Sequence, residues 1–338
     1  MQITLPRIDS NPLFHLFDKD QLQSEILKGN RIALARGITL VESTNRDHQK
    51  LASELLSGIA LFTGNSFRIA ITGSPGAGKS TFINTFGSFL CGLGKKVAVL
   101  SIDPSSEKSK GSILGDKTRM EELSKNPLAF IRPSPSGGEL GGIARRTREA
   151  MLLCEAAGFE VILVETVGVG QNETAVQHLT DMFLLLLVTG SGDDLQGIKR
   201  GIMEMADLLI INKTDGENAK RAEQYRLEIA HAIHLFMANP NGWTTQTLAC
   251  SSIENKGMES IWLQVETFFH QMKLSSFLEK RRLEQNTFWL DKLLEEALNQ
   301  AFLSSKTYQK FAENRPDYLS YFDAQQVVNE FIKKGQLH

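Results

Sequence analysis

The sequence predicts an α/β fold with a mainly parallel central sheet, preceded and followed by helical segments. Short apolar runs recur through the middle of the chain, at 67–72, 97–102, 128–131, 161–165, 183–188, 208–212 and, more weakly, 248–250. Segments of helical periodicity, such as 143–157 and 217–237, separate most of them. Strands apolar along their whole length are buried on both faces, as in a parallel sheet covered by helices. In such a sheet, ligands bind beyond the carboxyl ends of the strands. The residues after each run are therefore the ones to read for function.

Bulk properties exclude several classes. The chain has 338 residues, 41% hydrophobic and 22% charged, with a net charge of −2. That balance gives no electrostatic case for a nucleic-acid partner. Cys91, Cys154 and Cys250 lie far apart among apolar residues and read as core thiols of a reducing compartment. The longest apolar run, 182–188, is far short of the ~20 residues of a membrane span and reads as a buried strand. The opening residues carry no signal-peptide pattern, so a cytoplasmic location is expected.

Three regions follow from the periodicity. Residues 1–64 form an N-terminal helical extension, with Leu22, Ile26 and Leu27, then Leu51, Leu55 and Ile59, at helical spacing. Residues 65–256 hold the apolar runs. Residues 257–338 return to helical periodicity, for example around Phe268, Trp289 and Phe331. A Pro/Gly-rich stretch at 132–142 reads as a mobile surface loop.

The first strand runs into Gly73, Ser74, Pro75, Gly76, Ala77, Gly78, Lys79 and Ser80, followed by Thr81 and a helical run. This is G-x4-G-K-[ST] in its required strand–loop–helix context. The glycines let backbone N–H groups converge on phosphate oxygens, and the helix turns its positive end towards them. Lys79 can reach the β- and γ-phosphates, and the Ser80 hydroxyl can bind Mg²⁺. A plain Gly-rich turn is the bland alternative, and the flanking strand and helix weigh against it.

Other strand ends add to this. Asp103 follows 97–102 and suits either Mg²⁺ or its waters, or an Asx turn before Pro104. Glu165 ends 161–165 like a Walker B acid, Gly168 has the spacing of a γ-phosphate-contacting glycine, and Gln171 can orient water. Asn212, Lys213 and Asp215 form N-K-x-D after 208–212. A carboxylate at Asp215 can accept from guanine N1–H and N2–H₂, a donor pair that adenine lacks, so GTP and GDP are favoured over adenine nucleotides. Ser251 and Ser252, after the weak last strand, suit a backbone contact to guanine O6.

At this point the chain resembles the MeaB/ArgK family of P-loop GTPases. The resemblance rests on residues 103–106 and 111–120, on 131–135 and 140–142, and on 165–171 and 195–202. It implies a SIMIBI-type G domain in a chaperone for adenosylcobalamin-dependent methylmalonyl-CoA mutase, gating cofactor loading and protecting or reactivating the mutase. It also implies a homodimer made through the C-terminal helices. Asp103 and Asp116 would be magnesium-site and switch I residues, 165–171 switch II, and 192–199 the switch III loop that signals to the mutase. Hydrolysis is then expected to use Lys79 with Mg²⁺ held by Ser80, Asp103, Asp116 and Glu165. With no evident intrinsic arginine finger, slow basal turnover is expected, raised by the partner. Alternatives are a metal-insertion GTPase, a P-loop kinase of a periplasmic-binding-protein-type transport component, and a non-hydrolysing scaffold.

Overall fold

The computed structural model describes residues 18–102, 120–133, 140–166, 176–189, 200–233, 239, 241–313 and 321–333. Each apolar run forms a strand: β1 Phe67–Gly73, β2 Val97–Ile102, β3 Ala129–Arg132, β4 Val161–Thr166, β5 Met182–Leu187, β6 Leu208–Ile211 and β7 Gln246–Ala249. They make one seven-stranded sheet in the order β3-β2-β4-β1-β5-β6-β7. Every neighbouring pair is parallel. Strands β2, β4 and β5 are buried at every residue. Strand β7 is half-buried at the sheet edge, which is why its run is the weakest in the sequence.

Strand β1 lies between β4 and β5, with Ile71 opposite both Glu165 and Leu184. The chain leaves β1 towards β2 on one side and later crosses to β5 on the other. Such a reversal opens a crevice at the carboxyl ends of the central strands.

Helices cover the sheet. The helix Lys79–Gly92 buries Phe82, Phe86 and Leu90 against Ile69 and Ile71. The helix Met258–Leu274 adds Ile261, Trp262, Val265, Phe268 and Met272 to the same core. Trp262 reaches the rings of Phe67 at 5.6 Å and Phe86 at 6.4 Å. Each fully buried large side chain contributes roughly 1.5–3 kcal/mol by transfer from water. Helical periodicity resumes at 257 as read, but the helix it begins belongs to the core of the sheet. The compact unit accordingly ends at Glu279, and Lys280–His338 is a second.

The N-terminal extension is helical: α1 Lys19–Leu27, α2 Arg31–Glu42 and α3 Arg46–Ile59. The Asn30 side chain caps α2 by accepting from Ile32 and Ala33, and Asn45 caps α3 in the same way. Their apolar faces bury Leu22, Ile26, Leu34, Ile38, Leu55 and Ile59. All three pack against the helix Leu140–Ala156. Near the end of that helix, Glu155 receives a two-pronged ion pair from Arg68 of β1, at 2.8 and 2.9 Å, with Ser66 and the Gly64 N–H as further donors.

Most of the helix Phe277–Ser304 falls in the second unit, where the helices Lys306–Glu313 and Tyr321–Lys333 follow it. Leu283, Leu290, Leu294 and Leu298 of the first of these are about half exposed or more. Among the described residues, no helix is long and apolar enough to cross a membrane.

Candidate functional site

Strand β1 delivers the chain to Gly73, whose φ is 151°. A Cβ there would stand 2.5 Å from the Leu186 carbonyl oxygen of β5, so the close parallel packing admits glycine alone. Gly78 has φ 85°, and a Cβ on it would stand 2.8 Å from the Asn212 amide nitrogen. The helix starting at Lys79 therefore presents its first N–H groups to the loop, where they have no intrahelical partner. Thr81 is exposed in that first turn.

The Lys79 ammonium folds across the loop and donates to the carbonyls of Gly73 at 2.8 Å and Ser74 at 3.3 Å. Burial pushes it below the usual lysine range, with the Glu165 carboxylate opposing. Ser80 donates its hydroxyl to Glu165 Oε1 at 2.9 Å. Glu165 is buried on β4 directly beside β1. A hydroxyl and a carboxylate side by side at the mouth of a phosphate-type loop are hard oxygen donors of the kind Mg²⁺ takes, so the residues present fit that ion.

The N-K-x-D segment closes the other side. Asn212 is 1% exposed. Its amide donates to the Ala77 carbonyl at 3.0 Å, and its Oδ1 accepts from the Ser252 hydroxyl at 2.9 Å and the Ser252 N–H at 3.3 Å. The Cys250 thiol, pushed up to about 12 by burial, points at the same oxygen at 3.4 Å. Lys213 sits at φ 61°, a left-handed conformation that costs a residue with a side chain roughly 1–2 kcal/mol. Asp215 Oδ1 accepts from the Ser251 hydroxyl at 2.9 Å, which orients the carboxylate and leaves it acceptor capacity for further donors.

The fold thus brings together residues 73–81, Glu165, Asn212, Lys213, Asp215, Ser251 and Ser252. Asp103, Asp116, Gly168 and Gln171, the 192–199 loop and most of the 132–142 loop lie outside the described residues. In the sequence, Ser251 and Ser252 suit only a backbone contact. Nothing in their local pattern marks that their hydroxyls serve Asp215 and Asn212, or that Thr85 of the P-loop helix donates to the Ser252 carbonyl at 2.7 Å. These partners are 36 to 167 positions apart, and no local pattern marks them. Among the described residues, no group of three or more His, Cys, Asp or Glu could hold a metal ion.

Comparison with known proteins identifies the family. The family model described as methylmalonyl Co-A mutase-associated GTPase MeaB matches residues 34–307. GTPase ArgK of Escherichia coli is 46% identical over 284 residues, covering 84% of this chain and 86% of that protein. The mitochondrial methylmalonic aciduria type A homolog of Mus musculus is 43% identical over 307 residues, covering 88% of this chain and 73% of that protein. A solved LAO/AO transport system kinase superposes with a TM-score of 0.74 at 36% identity, covering 94% of this chain and 99% of that one. The matched region takes in the phosphate loop, the strand-end acid and the N-K-x-D segment alike, and the chain belongs to the MeaB family of GTPases.

Proposed function

We propose that this GTPase is a chaperone that gates adenosylcobalamin loading of methylmalonyl-CoA mutase and protects or reactivates that enzyme. The family description, which names a mutase-associated GTPase, supports the partner. The observation that carries the nucleotide half is the Asn212 amide bonded to the Ala77 carbonyl. It joins the candidate base-reading loop to the candidate phosphate loop, so one connected site faces both ends of a guanine nucleotide.

In this reading, the N–H groups of residues 73–81 and the Lys79 ammonium hold the phosphates. Asp215, oriented by Ser251, accepts from guanine N1–H and N2–H₂, and the Lys213 stem lies on the base. Ser80 and Glu165, with Asp103 and Asp116, would hold Mg²⁺, which would supply positive charge to offset that of the phosphates. Nucleotide entry exchanges the Lys79 bonds to Gly73 and Ser74 for bonds to phosphate. The Gly168 N–H contacts the γ-phosphate, Gln171 orients the water that attacks the γ-phosphorus, and GDP and phosphate leave. With no arginine finger evident from the sequence, basal turnover is slow, and the mutase raises it by ordering the switch segments. The protein acts in the cytoplasm as a homodimer. Leu283, Leu290, Leu294 and Leu298, uncovered at helical spacing on the helix Phe277–Ser304, support a dimer through the C-terminal helices.

The test is GTP turnover with and without an adenosylcobalamin-dependent methylmalonyl-CoA mutase. Stimulation of about tenfold or more is expected. Fast turnover without any partner would sink the regulatory reading. Transfer of labelled γ-phosphate to a protein instead of water would favour the transport-kinase alternative. Light scattering on the wild type and a Leu290→Lys, Leu294→Lys variant tests the dimer.

A further inference from the structure

Asn218 lies outside the N-K-x-D segment, at the end of the 3₁₀ turn Gly216–Asn218. Its side-chain amide donates to the Lys213 carbonyl at 2.6 Å, and its Oδ1 accepts from the Thr189 hydroxyl at 2.8 Å. The Lys213 carbonyl can only accept, which fixes the orientation of the amide. Its backbone N–H returns to the Asp215 carbonyl at 3.2 Å. One side chain therefore spans the strained Lys213 backbone, the turn that carries Asp215, and Thr189, two residues beyond the end of β5. Strand β5 is also the strand whose Leu186 carbonyl abuts Gly73 at the start of the phosphate loop.

We infer that Asn218 is a positioning residue for guanine recognition, and that Thr189 sets it from the carboxyl end of β5. A left-handed Lys213 places Asp215, two residues on, at the angle that meets the N1–H and N2–H₂ edge. A relaxed Lys213 swings that carboxylate away from the base edge. Asn218 holds the left-handed conformation by satisfying the Lys213 carbonyl inside the turn. The Thr189 hydroxyl keeps the amide in register. Neither Asn212 nor Asp215 supplies this bond, because the Asn212 amide donates to the Ala77 carbonyl and Asp215 Oδ1 accepts from the Ser251 hydroxyl.

The inference rests on Asp215 as base reader, and the experiment separates the two. Affinities of the full chain for GDP and for inosine diphosphate, which lacks the 2-amino group, are measured by competition with a fluorescent guanine nucleotide. Wild type is expected to prefer GDP. Asn218→Ala should narrow the GDP-over-IDP ratio by about tenfold, Thr189→Val by about threefold, and Thr189→Ser should keep the wild-type ratio. A ratio of affinities does not change with the fraction of folded protein, so mere destabilisation leaves it untouched. An unchanged ratio in Asn218→Ala overturns the role of Asn218. A narrowed ratio in Asn218→Ala with none in Thr189→Val overturns the link to β5. Equal binding of both nucleotides by the wild type overturns the reading of Asp215, and the inference with it.

Discussion

The Ser80 hydroxyl donates to Glu165 Oε1 at 2.9 Å across 85 positions of sequence. The contact exists because β4 is the strand hydrogen-bonded beside β1, which brings the end of one against the loop that follows the other. Ser80→Ala and Glu165→Gln should each lower GTP turnover by about 10²–10³-fold, the range seen when one preorganised electrostatic group is removed. Glu165→Gln keeps an acceptor for the hydroxyl, so its thermal midpoint should stay near that of the wild type. Chelating the divalent cation should abolish wild-type turnover. Full activity of Glu165→Gln with Mg²⁺ present would show that the carboxylate plays no part.

Gly78 and Gly92 bracket the same helix and should respond oppositely to alanine. At Gly78 a Cβ falls 2.8 Å from the Asn212 amide nitrogen at φ 85°, and Gly78→Ala should weaken GDP binding by tenfold or more through the lost Asn212–Ala77 bond. At Gly92 a Cβ meets nothing within 4 Å, and Gly92→Ala should stabilise the fold by about 0.5–1 kcal/mol with binding unchanged. Calorimetric titration and urea unfolding read the two effects.

Glu155 and Arg68 give the stability a pH dependence. Burial works against the Glu155 charge, but the hydrogen bonds and charge of Arg68, with Ser66 and the Gly64 N–H, outweigh it and hold the carboxyl below its ordinary 4.5. A lowered folded pKa means the stabilisation is complete above about pH 4.5 and is lost as pH falls through the folded value. Glu155→Leu strands a buried guanidinium and should cost about 3–5 kcal/mol at pH 7, and adding Arg68→Met should recover most of it. The gap between wild type and Glu155→Leu in urea should shrink at pH 3. An equal gap at both pH values would refute the assignment.

The thiols provide a check on the core. Cys91, Cys154 and Cys250 are all buried, and burial raises the pKa of each. At pH 8, a thiol reagent should find none of them in the native protein and three in guanidinium. Rapid labelling of Cys250 in the native state would mean that the loop packed on Asn212 opens freely. GDP should then slow that labelling.

The strands were legible because a strand buried on both faces must be apolar throughout, and β2, β4 and β5 are. Residues 73–80 and 212–215 stand out as candidates for a related reason. Phosphate approach demands glycine and lysine, and guanine demands a carboxylate, at fixed local spacing. The edge position of β7 blurred its pattern. The helix Met258–Leu274 looked like the start of a separate region because periodicity reports one apolar face without saying what covers it.

The sequence by itself determined the candidate chemistry: the pattern of a phosphate loop, an acid at a strand end and the N-K-x-D pattern proposed to read the base, each short, with a spacing the backbone imposes. Only the tertiary structure decided how they are held. Asn212 on Ala77, Ser251 on Asp215, Thr85 on Ser252 and Asn218 between Lys213 and Thr189 are contacts set by strand order and packing, between side chains common enough to carry no signal of their own. A local motif constrains residues a few positions apart. The partners that fix its geometry are chosen by which strands lie side by side, and strand order is a property of the folded sheet.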